Sequence, residues 1–315
     1  MKILRRSGPV GLLLFLGCLV TAPLKAHDSA QAVYAALSGY PLERDYYNRL
    51  MVGVHVNGVG PFPFIIDTGA SRSIVYRSLT AMMQLEAVPN KSRNVVTVNG
   101  YRRALIYPIG DIYALGRTLK LEETVALPDI IHSNAKGLIG VDLLAGRTLF
   151  VRPEAGLAVL QDNNENLEEE DWSFVQGRSV AYGSLALEID MGGVMIPFMV
   201  DTGASDTVIN TAGAEILLRS ATGIRTEKIS AVAGRGRTVV RERLILPEFV
   251  LGDRAFEKTN IYVADVPVFR LLGAARVPAV ILGMNVLNQQ DFALDFQNWR
   301  LYLRSHAGAE KPGKQ

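Results

Sequence analysis

The sequence predicts a mainly β protein built from two related lobes with short helices, and three observations carry that expectation. The chain of 315 residues repeats itself internally. Its apolar residues alternate or run in short blocks, as strand residues do. Turn-forming pairs punctuate those blocks at matching places in the two halves.

The repeat emerges when the chain is laid on itself. Pro63 to Ser71 reads PFIIDTGAS and Pro197 to Ser205 reads PFMVDTGAS, which sets Asp67 and Asp201 134 residues apart. The same offset pairs Val98 with Val232, Gly100 with Gly234 and Arg103 with Arg237. Leu115-Gly116 pairs with Leu251-Gly252 at 136, and Leu138-Ile139-Gly140 with Ile281-Leu282-Gly283 at 143, so the second copy carries loop insertions. Each copy closes on two apolar runs around a turn: Leu149–Arg152 with Gly156–Leu160, and Phe292–Phe296 with Trp299–Leu303. Two lobes related by a pseudo-twofold axis follow from such a duplication.

Within each copy the elements come in the same order. Met51–Val56 alternates through Val52, Val54 and Val56, and Leu185–Ile189 through Leu185, Leu187 and Ile189, the pattern of half-buried strands. Asn57-Gly58 and Gly192-Gly193 then supply hairpin turns. Phe64-Ile65-Ile66 and Phe198-Met199-Val200 are continuous apolar runs, expected to be strands buried on both faces. The expected organisation is a first lobe over 45–160, an acidic linker over 161–182, a second lobe over 183–304 and a tail over 305–315. The charge run Gln161–Asp171 (QDNNENLEEED) reads as a solvated linker with no partner of its own.

Residues 1–26 read as a signal peptide: Lys2, Arg5 and Arg6 precede the apolar run Val10–Val20, and small residues follow at Ala22 and Ala26. That run is too short to span a bilayer comfortably. Cleavage is expected after Ala26, since Pro23 would follow a cut at Ala22. The single cysteine, Cys18, lies inside this segment, which leaves the mature chain without a disulfide framework or a Cys-based metal site. The apolar run continues past Cys18 through Leu19 and Val20, which argues against a lipid anchor there. A cysteine-free exported chain points to the periplasm or to secretion from a bacterial envelope. The formal charge of +2 also comes from this segment, because without Lys2, Arg5, Arg6 and Lys25 the chain has 29 basic and 31 acidic residues. No nucleic-acid footprint remains.

The chemistry concentrates in the two Asp-Thr-Gly turns. Each places an ionisable carboxyl directly after an apolar strand, a costly position unless its burial has a use. Two hydrophobic-hydrophobic-Asp-Thr-Gly-Ala turns, each followed by a hydrophobic-hydrophobic-Gly segment, resemble the retropepsin-like and pepsin-like aspartic peptidases. The Ala after each Gly, and the spacings of 73 and 82 residues from Asp to the later Gly, are closer to the retroviral and bacterial retropepsin-like members. The two copies in one chain are the pepsin arrangement.

The resemblance implies β-barrel lobes and a hydrolase that cleaves an extended protein or peptide substrate, with Asp67 and Asp201 catalytic and no metal or other cofactor. It implies that Thr68 and Thr202 fix the two turns against each other, with Gly69 and Gly203 allowing the tight turn. Gly100 with Tyr101, and Gly234, each near 33 residues after an aspartate, become candidate flap residues. A monomer with an intramolecular pair is expected, the alternative being a homodimer whose lobes pair between chains. The competing function is a non-catalytic envelope protein that binds extended peptides in the same cleft. Loss of an Asp, Thr or Gly in one copy would mark that reading, and both turns are complete. His27, His55, His132 and His306 are scattered without metal-ligand spacing, and Gly234–Gly236 lacks the ending of a phosphate loop.

Overall fold

The computed structural model describes residues 39–97, 100–162, 167, 172–233 and 238–304. The expected signal peptide, the tail over 305–315, Gly234 and most of the acidic run lie outside the described residues. Strand dominates both halves, as the alternation predicts, and the longest helix among the described residues is Thr211–Ser220. Among the described residues no helix is long and apolar enough to cross a membrane.

Each lobe is organised around the strand that ends at its Asp-Thr-Gly turn. In the first lobe Leu50–Val56 runs antiparallel to Val59–Ile66, with Met51 opposite Ile65 and Val56 opposite Val59. Asn57 and Gly58 close that hairpin at φ 51° and 78°, the left-handed pair that a two-residue turn demands. Gly192 and Gly193 do the same in the second lobe at 66° and 86°. Val59–Ile66 then lies parallel to Gly137–Ile139, which pairs antiparallel with Ile74–Tyr76. The second lobe repeats the arrangement with Met195–Val200, Val280–Leu282 and Thr207–Ile209.

The continuous apolar runs explain the layering. Phe64 and Ile66 face a large core shared by both lobes, while Ile65 points the other way into a satellite cluster with Met51, Ile74 and Ile106. Phe198 and Val200 face the shared core, and Met199 joins a matching cluster with Phe269 and Ile281. Both faces of the strand are thus covered, which is why its sequence does not alternate.

The lobes are joined by an antiparallel sheet to which each contributes three strands. Its order is Tyr40–Arg44, Leu157–Gln161, Thr148–Arg152, Phe292–Asp295, Arg300–Arg304 and Trp172–Ser179. The pseudo-twofold passes between Thr148–Arg152 and Phe292–Asp295, where Leu149 faces Leu294 and Val151 faces Phe292. All four side chains are essentially fully buried. Burial of this kind contributes about 1.5–3 kcal/mol per large apolar side chain relative to exposure.

Two strands fall outside the boundaries that the sequence suggests. Trp172–Ser179 occupies much of the stretch expected as linker, pairing first with Arg300–Arg304 and then with Leu185–Asp190. Its counterpart Tyr40–Arg44 precedes the expected start of the first lobe and bridges Leu157–Gln161 and Leu50–Val56 in the same way. Both are edge strands with one face in solvent, as the half-exposed Phe174 illustrates, so neither carries a strong apolar signature.

Candidate active site

The backbone brings the two Asp-Thr-Gly turns together at the pseudo-twofold. The amide of Asp67 donates to the carbonyl of Ile139 at 2.9 Å, and that of Asp201 to Leu282 at 3.0 Å. Within each turn the Ala70 and Ala204 amides return to the carbonyls of Asp67 and Asp201 at 3.3 and 3.2 Å. The Gly69 amide donates to Asp67 Oδ1 at 3.0 Å, and the Gly203 amide to Asp201 Oδ1 at 2.9 Å. Each carboxyl is therefore oriented by its own turn.

Thr68 and Thr202, both fully buried, tie one turn to the other. The Thr68 amide donates to Thr202 Oγ1 at 3.2 Å and the Thr202 amide to Thr68 Oγ1 at 3.0 Å. In return Thr68 Oγ1 donates to the Val200 carbonyl at 2.8 Å and Thr202 Oγ1 to the Ile66 carbonyl at 2.6 Å. A hydroxyl can accept and donate at once, so four buried backbone groups find partners through two side chains.

That closure leaves no room at the following glycines. A Cβ on Gly69 would lie 2.6 Å from Asp201 Oδ2, and one on Gly203 would lie 2.4 Å from Asp67 Cγ. Each glycine is thus the floor on which the opposite carboxyl rests. Gly140 and Gly283 have a similar role one layer down, because a Cβ there would strike the backbone of Arg72 and Asp206 at 2.5 Å.

A second layer of contacts holds the turns from behind, and the sequence reading did not identify it. Ser73 donates through its amide and hydroxyl to Asp142 at 2.9 and 2.7 Å, and its hydroxyl accepts from the Gly140 amide at 3.0 Å. In the second lobe Thr207 donates to Asn285 Oδ1 at 2.8 Å through both groups and accepts from the Gly283 amide at 3.1 Å. The offset of 134 does pair Ser73 with Thr207, and 143 pairs Asp142 with Asn285. The signal was present, masked by the change from Asp to Asn.

Each carboxyl rests against the glycine of the opposite turn, so the two face each other closely enough for each to act on the other. Burial, followed by the charge of Asp201, pushes Asp67 up to about 8, with Arg49 pulling it back in part. Asp201 is also raised by burial, against the opposing pull of the Gly203, Ala204 and Gly69 amides and of Asp67. Two carboxyls in contact and largely out of water hold one proton between them over a wide range.

Of the expected flap residues, Gly100 opens the long strand Gly100–Ala114, paired back to Thr97 on Ser92–Thr97, and Tyr101 is 75% exposed beside it. Ser92–Thr97 comes against the helix Pro267–Leu271 of the second lobe, so this hairpin reaches across from one lobe to the other. The second hairpin pairs Arg225–Ala233 with Thr238–Leu251, and Gly234 lies outside the described residues. Among the described residues no group of three or more His, Cys, Asp or Glu side chains could hold a metal ion.

The raised carboxyl has a consequence for stability. Folded Asp67 holds a proton that the unfolded chain releases near its ordinary value of 3.8. Stability from this group is full below about pH 4 and is lost as the pH rises through about 8. Thermal unfolding should therefore show Asp67→Asn losing less stability than the native chain between these limits. Parallel curves for the two proteins would contradict the raised carboxyl.

A family model described as aspartyl protease matches residues 52–143 and 187–286, together more than half of the chain, while no curated protein matches it. Each matched segment contains one Asp-Thr-Gly turn together with the glycine segment packed against it. The chain belongs to the retropepsin-like aspartyl protease family and carries the family's unit twice in one polypeptide.

Proposed function

We propose that the protein is an aspartic endopeptidase whose catalytic pair, Asp67 and Asp201, is assembled within a single chain. The observation that carries this reading is the contact of the two carboxyls over Gly69 and Gly203. With one proton shared, the ionised carboxyl takes a proton from a water as its oxygen attacks the scissile carbonyl carbon. The protonated carboxyl donates to the carbonyl oxygen, giving a neutral tetrahedral diol. Collapse breaks the C–N bond as a proton passes to the leaving nitrogen, and the pair ends with the single proton it began with.

Substrate is taken as an extended peptide in the cleft between the lobes, where backbone pairing gives affinity and side-chain pockets give preference. The reach of the hairpin Ser92–Ala114 toward the second lobe favours Gly100 and Tyr101 as part of a lid that excludes water. The joining sheet, to which each lobe adds three strands, favours a monomeric catalytic unit. Export to a bacterial periplasm or beyond, with cleavage after Ala26, rests on the charged and apolar start of the chain. Sequencing the N-terminus of envelope-localised protein tests that export. Cytoplasmic protein beginning at Met1 would contradict it.

Asp67→Asn and Asp201→Asn should each fold and each lose about 10²–10⁴-fold in peptide cleavage, the scale of lost acid–base catalysis. Activity should also fall as the pH rises through about 8, where the shared proton leaves. Full cleavage by either folded variant would refute the proposal.

A further inference from the structure

The loop before Leu50–Val56 contains a charge that the second lobe lacks. Asp45, its side chain fully buried, accepts from the Tyr47 and Arg49 amides at 3.0 Å each and from Ser133 Oγ at 3.2 Å. It also accepts from Arg49 Nε at 2.9 Å and forms an ion pair with Arg49 Nη2. Five donors on one carboxylate hold the Arg49 guanidinium in place, with its side chain 12% exposed and its Cζ 5.3 Å from the centre of the Tyr47 ring.

The sheet register says where that charge is held. The pairing ends at Met51–Ile65, and the register continued two residues past it brings Arg49 level with Asp67. The same step beyond Ala186–Met199 arrives at Ser184 and Asp201, and Ser184 is a buried neutral residue. The pseudo-twofold is therefore broken at this level of the register: a cation whose charge acts on Asp67 stands in the first lobe, a hydroxyl in the second.

We propose that Arg49, clamped by Asp45, is a positioning residue for the catalytic pair, holding it as a monoanion at lower pH than two buried carboxyls would otherwise reach. This rests on the reading of Asp67 and Asp201 as the catalytic pair. Burial disfavours any charge on the pair, and a fixed cation in the same desolvated region offsets that cost. The pull of Arg49 on Asp67 runs in this direction, with Asp45 as the ion-pair partner that holds the guanidinium. The other groups whose charge bears on this region are Asp201 across the pseudo-twofold, the Tyr76 phenol and Asp129. The Tyr76 phenol is raised by burial and then by Asp67, and Asp129 accepts from the Ser78 amide.

The test follows the pair's titration by ¹³C-carboxyl NMR of aspartate-labelled full-length protein, alongside the pH profile of kcat/KM for peptide cleavage. The variants are Arg49→Gln, Arg49→Lys and the double substitution D45N/R49Q. The double variant guards against misfolding, because Arg49→Gln alone strands the buried Asp45 carboxylate. Both titration steps of the pair should move up by about one pH unit in Arg49→Gln, within the range for losing a nearby opposite charge. They should move in the same direction, by less, in D45N/R49Q, and stay near the native positions in Arg49→Lys. Unmoved steps in both glutamine variants, or a shift in Arg49→Lys as large as in Arg49→Gln, would overturn the proposal. Shifted carboxyl steps without any peptide cleavage would uphold the electrostatic link while sinking the peptidase reading.

Discussion

The exchange of hydroxyls between Thr68 and Thr202 is the constraint from which the rest of this site follows. Each Oγ1 accepts from the opposite threonine's amide and donates to the carbonyl just before the opposite aspartate, between 2.6 and 3.2 Å. All of these groups are buried, and leaving one unpaired costs about 1–3 kcal/mol. The ring therefore closes fully or the two turns separate. Once it closes, the backbones are so near that residues 69 and 203 must be glycine, and the carboxyls meet over them. A pair of raised, mutually interacting acids is then the product of geometry, achieved against the preference of each carboxylate for water.

Around that symmetric centre the two copies diverge by degrees. The supporting contact behind the turn is charged in the first lobe, Ser73 on Asp142, and neutral in the second, Thr207 on Asn285. Arg72 and Asp206, at matching exposed positions just past the turns, carry opposite charges. Arg49 has Ser184 as its counterpart. A homodimer would repeat each such change on both sides of its site. A duplicated chain can change one lobe alone, so the asymmetry fits the single-chain pairing proposed above.

Much of the fold was legible because its signals are local. Asn57-Gly58 and Gly192-Gly193 form the left-handed turns that their residues permit, and Phe64–Ile66 and Phe198–Val200 are buried on both faces as continuous apolar runs must be. The two Asp-Thr-Gly turns were legible because duplication preserved them with their neighbours, while the bonding of Thr68 with Thr202 was expected only from the resemblance to aspartic peptidases. What escaped depends on long-range pairing. Trp172–Ser179 is a strand because Arg300–Arg304 and Leu185–Asp190 offer it partners, and no alternation within its own eight residues announces that. Arg49 gains its significance only from the register that, continued past its last pair, brings it level with Asp67, eighteen residues along the chain.

The central claim is that one chain makes one complete dyad. Calorimetric titration with a statine-type transition-state mimic, performed on protein whose mass in solution is measured by light scattering, tests it most directly. The account predicts one mimic bound per chain on a monomeric particle, with binding lost in Asp67→Asn. One mimic per two chains on a dimer would contradict it, as would undiminished binding by the Asp67→Asn protein.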